Sequence, residues 1–187
     1  MRIFAGLWAR VFTVPTVAIA SAAEGRVVTI RGEVVARDLI DSPLAGKRCV
    51  YYRFRSEQWR QSRVAGVGGD GFWEATSSDE AIVEFYVADP SGRAIVSPAN
   101  ARVQRARGLE EISTTRPTAL SGAERAQELL IVPGDEITVT GEAAWVSDLF
   151  DDGRDYRQAP RRLMLRAPEG KPLQIRLLRQ GRDEYNP

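Results

Sequence analysis

From Arg26 onward, apolar residues recur mostly at every second position, in runs broken by Gly- and Pro-containing turns. A period of two sets alternate side chains on opposite faces of an extended strand, whereas a helical stripe repeats every 3.6 residues. In VVTIRGEVV, Val28, Ile30 and Val34 share one face and Thr29, Arg31 and Glu33 the other. Gly32 interrupts this run and predicts a bulge or a close backbone approach. CVYYRFRSEQW places Val50, Tyr52 and Phe54 against Cys49, Tyr51, Arg53 and Arg55, and AIVEFYVA aligns Val83, Phe85 and Val87. Asp89-Pro90-Ser91-Gly92 is a strong turn tetrapeptide and predicts a hairpin. The runs ELLIV, EITVTGEAAWV, RLMLR and PLQIRLL follow, the first two joined by a turn at Pro133-Gly134-Asp135. About eight such runs predict a mainly β fold, a compact barrel or sandwich of short antiparallel strands with minor helix.

Two stretches depart from the pattern. Arg102 to Arg125 is polar and reads as a long loop, closing on a short helix because Ser121 and Glu124 have capping-box spacing. At the other end, Ile3, Phe4, Leu7, Trp8, Val11 and Phe12 recur at helical spacing and predict an N-terminal amphipathic helix. The uncharged run Val11 to Ala23 falls short of the roughly 20 residues a spanning helix needs and contains Pro15. Residues 1–23 therefore read as an amphipathic leader, whose residues 1–14 suit either a membrane surface or packing on the domain's own core, or as a signal-like segment with small residues at Ala20 and Ala22. Residues 24–187 read as the β domain. The location expected is cytoplasmic or membrane-peripheral, with export as the alternative if the leader is a signal peptide.

The 187 residues contain one Cys and no His. No Ser–His, Cys–His or His-ligated zinc chemistry can be assembled within this chain, and one Cys forms no internal disulfide. Cys49 lies beside Lys47 and Arg48, whose charges favour a thiolate, yet it lacks the base that a nucleophile needs. The acidic pairs Glu110–Glu111 and Asp151–Asp152 fall in polar stretches that would not raise a carboxyl pKa. GVGGDG, Gly66 to Gly71, lacks the Lys-Ser/Thr of a phosphate loop and reads as a hairpin turn. DLFDDGRD fails as a calcium loop, because setting Gly153 at position six puts Phe150 and Ala159 at ligand positions. With 26 basic and 25 acidic residues the net charge is +1, which gives no overall pull toward nucleic acid. The Arg-Leu tail from Arg161 to Arg182 fits alternating strands with solvated arginines as well as phosphate contacts. No cofactor and no zinc are expected, and the chain reads as non-enzymatic. An enzyme using Cys49 or loop carboxylates, and an OB-like nucleic-acid-binding barrel, are the alternatives.

The segment Asp41-Ser42-Pro43-Leu44-Ala45-Gly46-Lys47-Arg48-Cys49-Val50-Tyr51-Tyr52-Arg53 resembles the signature of the GIDE domain, the "beside a membrane" domain of the mitochondrial membrane-anchored RING ubiquitin ligase and its prokaryotic relatives. VVTIRGEVV before it, and Trp59, FYVADPSGRAIVSP and LLIVPGDEITVTGEA after it, keep the family's order over about residues 26–145. The resemblance implies a membrane-proximal β domain that binds a protein or peptide partner or senses a signal. Candidate partner-binding residues are Ser42, Pro43, Leu44, Lys47, Cys49, Tyr51 and Arg53. It does not imply ligase activity, because the zinc ligands of a RING are missing from this chain.

Overall fold

A computed structural model describes residues 14–61, 71–109, 111–118, 122–147 and 161–181. In chain order its strands are β1 (Val27–Val35), β2 (Ile40–Asp41), β3 (Arg48–Cys49), β4 (Tyr51–Gln61), β5 (Gly71–Ile82), β6 (Phe85–Asp89) and β7 (Gly92–Val96). There follow β8 (Ala101–Arg105), β9 (Ile112–Thr118), β10 (Gly122–Ile131), β11 (Glu136–Ser147), β12 (Arg161–Arg166) and β13 (Leu173–Arg179). The mainly β expectation holds, and the architecture is a closed five-stranded barrel with further sheets built onto it.

Around the barrel the order is β1-β6-β7-β12-β11 and back to β1. Inward residues Val28, Ile30, Val34, Phe85, Val87, Ala94, Val96, Ile137, Val139, Leu163 and Leu165 form its core, the faces that the alternation assigned to β1 and β6. Gly32 is the predicted close approach. A Cβ there would sit 2.2 Å from the carbonyl oxygen of Ala88, where β1 passes from β11 to β6. The Asp89–Gly92 hairpin joins β6 to β7 as predicted. Not every pairing is antiparallel: β7 runs parallel to β12, and β8 parallel to β13. Local alternation carries no information about such long-range partners.

β12 and β13 lie end to end along one edge of β11, Glu142 pairing with Arg166 and Thr140 with Gln174. Gly141 faces the gap, where a Cβ would meet Leu173 Cδ1 at 2.4 Å and the Arg166 carbonyl oxygen at 2.7 Å.

A second, four-stranded antiparallel sheet has the order β5-β4-β10-β9. Its base is rooted in the barrel core through Val50, Tyr51, Leu129 and Ile131. Farther out it stands clear of the barrel, and every residue from Glu74 to Glu80 is exposed. Trp59 and Trp73, paired across β4 and β5, meet edge-on with ring centroids 5.4 Å apart. The Arg125 guanidinium lies 4.3 Å from the Trp73 ring centre and its Nε donates to Glu57 Oε2 at 2.5 Å. A cation over an aromatic face and an edge-on pair each add to the area they cover, so this cluster holds the outer strands together.

This sheet corrects three expectations. Arg102–Arg125 is largely strand, and Glu124 pairs with Gln58 in β10 where a helix was expected, Ser121 lying outside the described residues. Where both faces of a sheet meet water, neither needs apolar residues, and the period-two signal disappears. The strands are also not uniformly short: β4, β5, β10 and β11 have 10 to 12 residues. Finally, Cys49, Val50 and Tyr51 are all buried, so alternation breaks where the chain bends from β3 into β4.

GVGGDG, expected as a hairpin turn, falls mostly outside the described residues; Gln61 pairs with Gly71. The predicted N-terminal helix and the acidic loop from Asp148 to Arg157 lie outside them too. Residues 14–22 pack on the barrel. Val17 N–H donates to the Thr29 carbonyl at 2.9 Å, and a 3-10 turn at Ile19–Ser21 buries Ile19 and Ala22 in the core. Ile19 N–H donates to Asp89 Oδ2 at 2.9 Å and Ala20 N–H to Ser91 Oγ at 3.0 Å, tying this segment to the hairpin.

Candidate functional site

The segment singled out by sequence is a turn held between β2 and β3, which pair Ile40 with Cys49 and Asp41 with Arg48. Ser42 closes it three ways. Its N–H donates to the Lys47 carbonyl at 2.9 Å, its carbonyl accepts from Gly46 N–H at 3.1 Å, and its Oγ accepts from Lys47 N–H at 3.2 Å. Gly46 has φ +64°, a conformation that carries a penalty for residues with a Cβ. The top of the turn is gripped from outside. Glu128 Oε1 accepts from Leu44 N–H and Oε2 from Ala45 N–H, both at 3.0 Å.

Glu128 is fully buried, and sequence reading passed over it. Leu129, Leu130 and Ile131 after it are buried too, so no alternation marks position 128, and an acid there must find donors. Leu44 and Ala45 supply them.

The predicted residues divide by burial. Pro43 and Lys47 are exposed, and Leu44 and Arg53 are partly so. Ser42, Cys49 and Tyr51 are buried and present no surface, which corrects their assignment as partner contacts. Ser42 is spent on the turn. Tyr51 packs in the core while its hydroxyl donates to Glu80 Oε1 at 2.8 Å, and burial followed by that bond pushes its pKa well above the ordinary value. Cys49 donates to the Ile40 carbonyl at 3.5 Å. Burial first, then the Glu128 charge, push its thiol up to about 11 in spite of the neighbouring Lys47 and Arg48. Arg53 lies 3.6 Å from Glu111, which also pairs with Arg105 at 3.2 Å. Glu111, expected in a polar loop, thus stands beside β9 between two arginines.

Beside the turn is a cleft of about 270 Å³, lined in part by Lys47, Glu111, Ile112, Leu130, Val132 and Gln180. Glu128 and Asp135 also line it, but both are committed to backbone donors. Asp135 Oδ2 accepts from Val132 N–H at 2.9 Å and Oδ1 from Gly181 N–H at 2.7 Å. They fix the walls; Glu111 at the rim is itself paired with Arg53 and Arg105. Ile112 is 38% exposed, one of few large apolar side chains so open among the described residues. No family model, curated protein or solved structure matches the chain.

The cleft is slightly smaller than the usual small-molecule or cofactor site, roughly 300–1,000 Å³. Among the described residues no group of three Cys, Asp or Glu side chains is placed to hold a metal ion, and no helix is long and apolar enough to cross a membrane.

Proposed function

We propose that this chain is a non-catalytic protein-interaction module that receives a peptide segment in the cleft beside the Ser42–Lys47 turn. The observation that carries this reading is the grip of Glu128 on Leu44 and Ala45. It fixes Lys47 next to Glu111 and Ile112 before any ligand arrives, and a preformed site loses less conformational freedom on binding. An apolar floor with a cation and an anion at the rim suits a peptide anchored by one aliphatic or aromatic side chain.

The raised Cys49 pKa supports the non-catalytic reading against a thiol enzyme. Against an OB-like nucleic-acid barrel stands the outer face of β6 and β7, where single strands stack on such barrels. Tyr86 and Ile95 there are only 9% and 2% exposed, so neither offers a stacking surface. The resemblance to GIDE domains supports placing the module beside a membrane, with residues 1–14 as the contact.

The test is an affinity capture comparing the full chain with Lys47→Glu and Ile112→Ala. Loss of the same captured proteins from both variants is expected, and an identical profile from all three chains overturns the cleft. Co-sedimentation with anionic liposomes, with and without residues 1–14, tests the membrane contact. Equal binding by both chains overturns it.

A further inference from the structure

We infer that the free edge of β5 is a docking strand for a basic, extended segment of another protein, which adds to the four-stranded sheet by main-chain pairing. This surface is separate from the cleft and stands on different observations. Among the described residues β5 pairs with β4 on one side only, and its residues from Glu74 to Glu80 are exposed. An open strand edge presents a row of unpaired donors and acceptors and is a template for another chain.

The two edges of this sheet are unlike. β9 contains Pro117, which has no N–H to offer a further strand. β5 runs for 12 residues, GFWEATSSDEAI, with no Pro, Lys or Arg; its register shifts at Thr76, so residues 77–82 form its regular edge.

Hydrogen-bond parity shows which groups face outward. Val83 N–H donates to the Val50 carbonyl, and the β4–β5 register runs unbroken from Tyr51↔Ile82 to Ser56↔Ser77. In an antiparallel ladder the residues that bond the partner alternate with those that do not. Ser78, Glu80 and Ile82 therefore turn their N–H and carbonyl groups to the free side. The structure bears this out at Glu80, whose N–H is taken by its neighbour Asp79, Oδ1 at 2.9 Å. Asp79 Oδ2 meanwhile accepts from the Tyr52 hydroxyl at 2.8 Å. A carboxylate thus guards one outward donor, and an approaching cation is the group that would draw it aside.

Charge selects the occupant. The strand itself carries Glu74, Asp79 and Glu80 and no cation; Glu74 is paired with Arg60 of β4 at 2.8 Å, so Asp79 and Glu80 are the acids that carry the selection. A second copy fits poorly. The antiparallel register that pairs the whole strand, Gly71 with Ile82, sets Glu74 opposite Asp79 twice, and a shift of one sets Glu74 opposite Glu80. Like charges directly opposite one another destabilise a pair, whereas opposite charges stabilise it. A strand carrying Lys or Arg meets an acid on each face, since Asp79 pairs with Phe54 and Glu80 with Arg53 on alternate sides of the sheet.

The experiment uses the full chain and two synthetic ten-residue peptides, one alternating Lys and Val and one alternating Glu and Val, with binding followed by calorimetry. The Lys peptide is expected to bind at least ten-fold tighter than the Glu peptide and to weaken as salt rises. Ser78→Pro removes an outward N–H without removing a bond to β4, and is expected to cut affinity at least ten-fold with the circular dichroism spectrum unchanged. Glu74→Lys/Glu80→Lys serves as a second variant and is expected to reverse the peptide preference. No binding by the natural chain overturns the inference. Equal binding by a folded Ser78→Pro chain reduces it to surface adsorption and also overturns it, as does an unreversed preference in the charge-swapped chain. Lys47→Glu is expected to bind the Lys peptide as the natural chain does. A change in affinity there, above all tighter binding to the added acid, places the peptide in the cleft and overturns the β5 assignment while leaving the cleft reading intact.

Discussion

Glu128, buried in β10, accepts the backbone N–H of Leu44 at 3.0 Å from a residue 84 positions earlier in the chain. Its second oxygen does the same for Ala45, so one side chain determines where the turn sits against the sheet. Glu128→Ala leaves both donors without this acceptor and is expected to cost about 2–4 kcal/mol, since each part-buried unpaired group costs about 1–3. Glu128→Gln keeps one acceptor oxygen and should fall between the two. Urea midpoints of the three chains check the order, and equal midpoints would remove Glu128 from its role.

Gly32 and Gly46 are both required, for different reasons, and their alanine variants should separate. At Gly32 the obstacle is the backbone of Ala88, so β1 and β6 must move apart, with an expected loss of about 3 kcal/mol. Gly46 has no atom within 4 Å of a new Cβ and only the positive φ opposes substitution, for about 1 kcal/mol. Thermal unfolding of the two variants measures the difference.

Asp89 ties the segment before β1 to the barrel, and this tie depends on pH. Burial acts to raise its carboxyl pKa, but bonds from the Ser91 hydroxyl and from the backbone of Ile19, Ser91 and Gly92 outweigh it and hold it below the usual value. A folded-state pKa that is depressed contributes stability above the unfolded value of about 3.9, lost as pH falls through the folded value. The natural chain should therefore lose more stability than Asp89→Asn between about pH 5 and pH 2. Denaturant midpoints across that range test it, and parallel curves would refute it.

Cys49 should resist iodoacetamide at neutral pH in the folded chain and react once urea unfolds it. Its thiol is fully buried and pushed up to about 11. Mass spectrometry reads the adduct, and prompt labelling of the folded chain would reopen a thiol chemistry.

The parts that sequence revealed are those where one strand face is wet and the other dry. Val28, Ile30 and Val34 fall on the core side as their spacing required, Gly32 is the close approach, and Asp89–Gly92 is the hairpin. β5 and β9 escaped because SSDE and STTR have no dry face to mark. The parallel closures of β7 on β12 and β8 on β13 escaped because alternation is blind to partners far along the chain. At the candidate site the turn was readable from Ser42, Pro43 and Gly46, but its anchor was not, since Glu128 lies 84 residues from Leu44. Tyr51 and Cys49 were misplaced because the bend at Val50 puts three consecutive residues inside.

The route of the barrel also fixes an order of events during synthesis. Thr29 in β1 waits for Thr140 in β11, 111 residues later, which is on the order of ten seconds at about 5–20 residues per second. β4 and β5 are neighbours in the chain and can pair long before that. Of the two larger sheets, the first pairing available to the emerging chain is thus the one that carries the acidic edge, so that surface is exposed to the ribosome's surroundings while the barrel is still open.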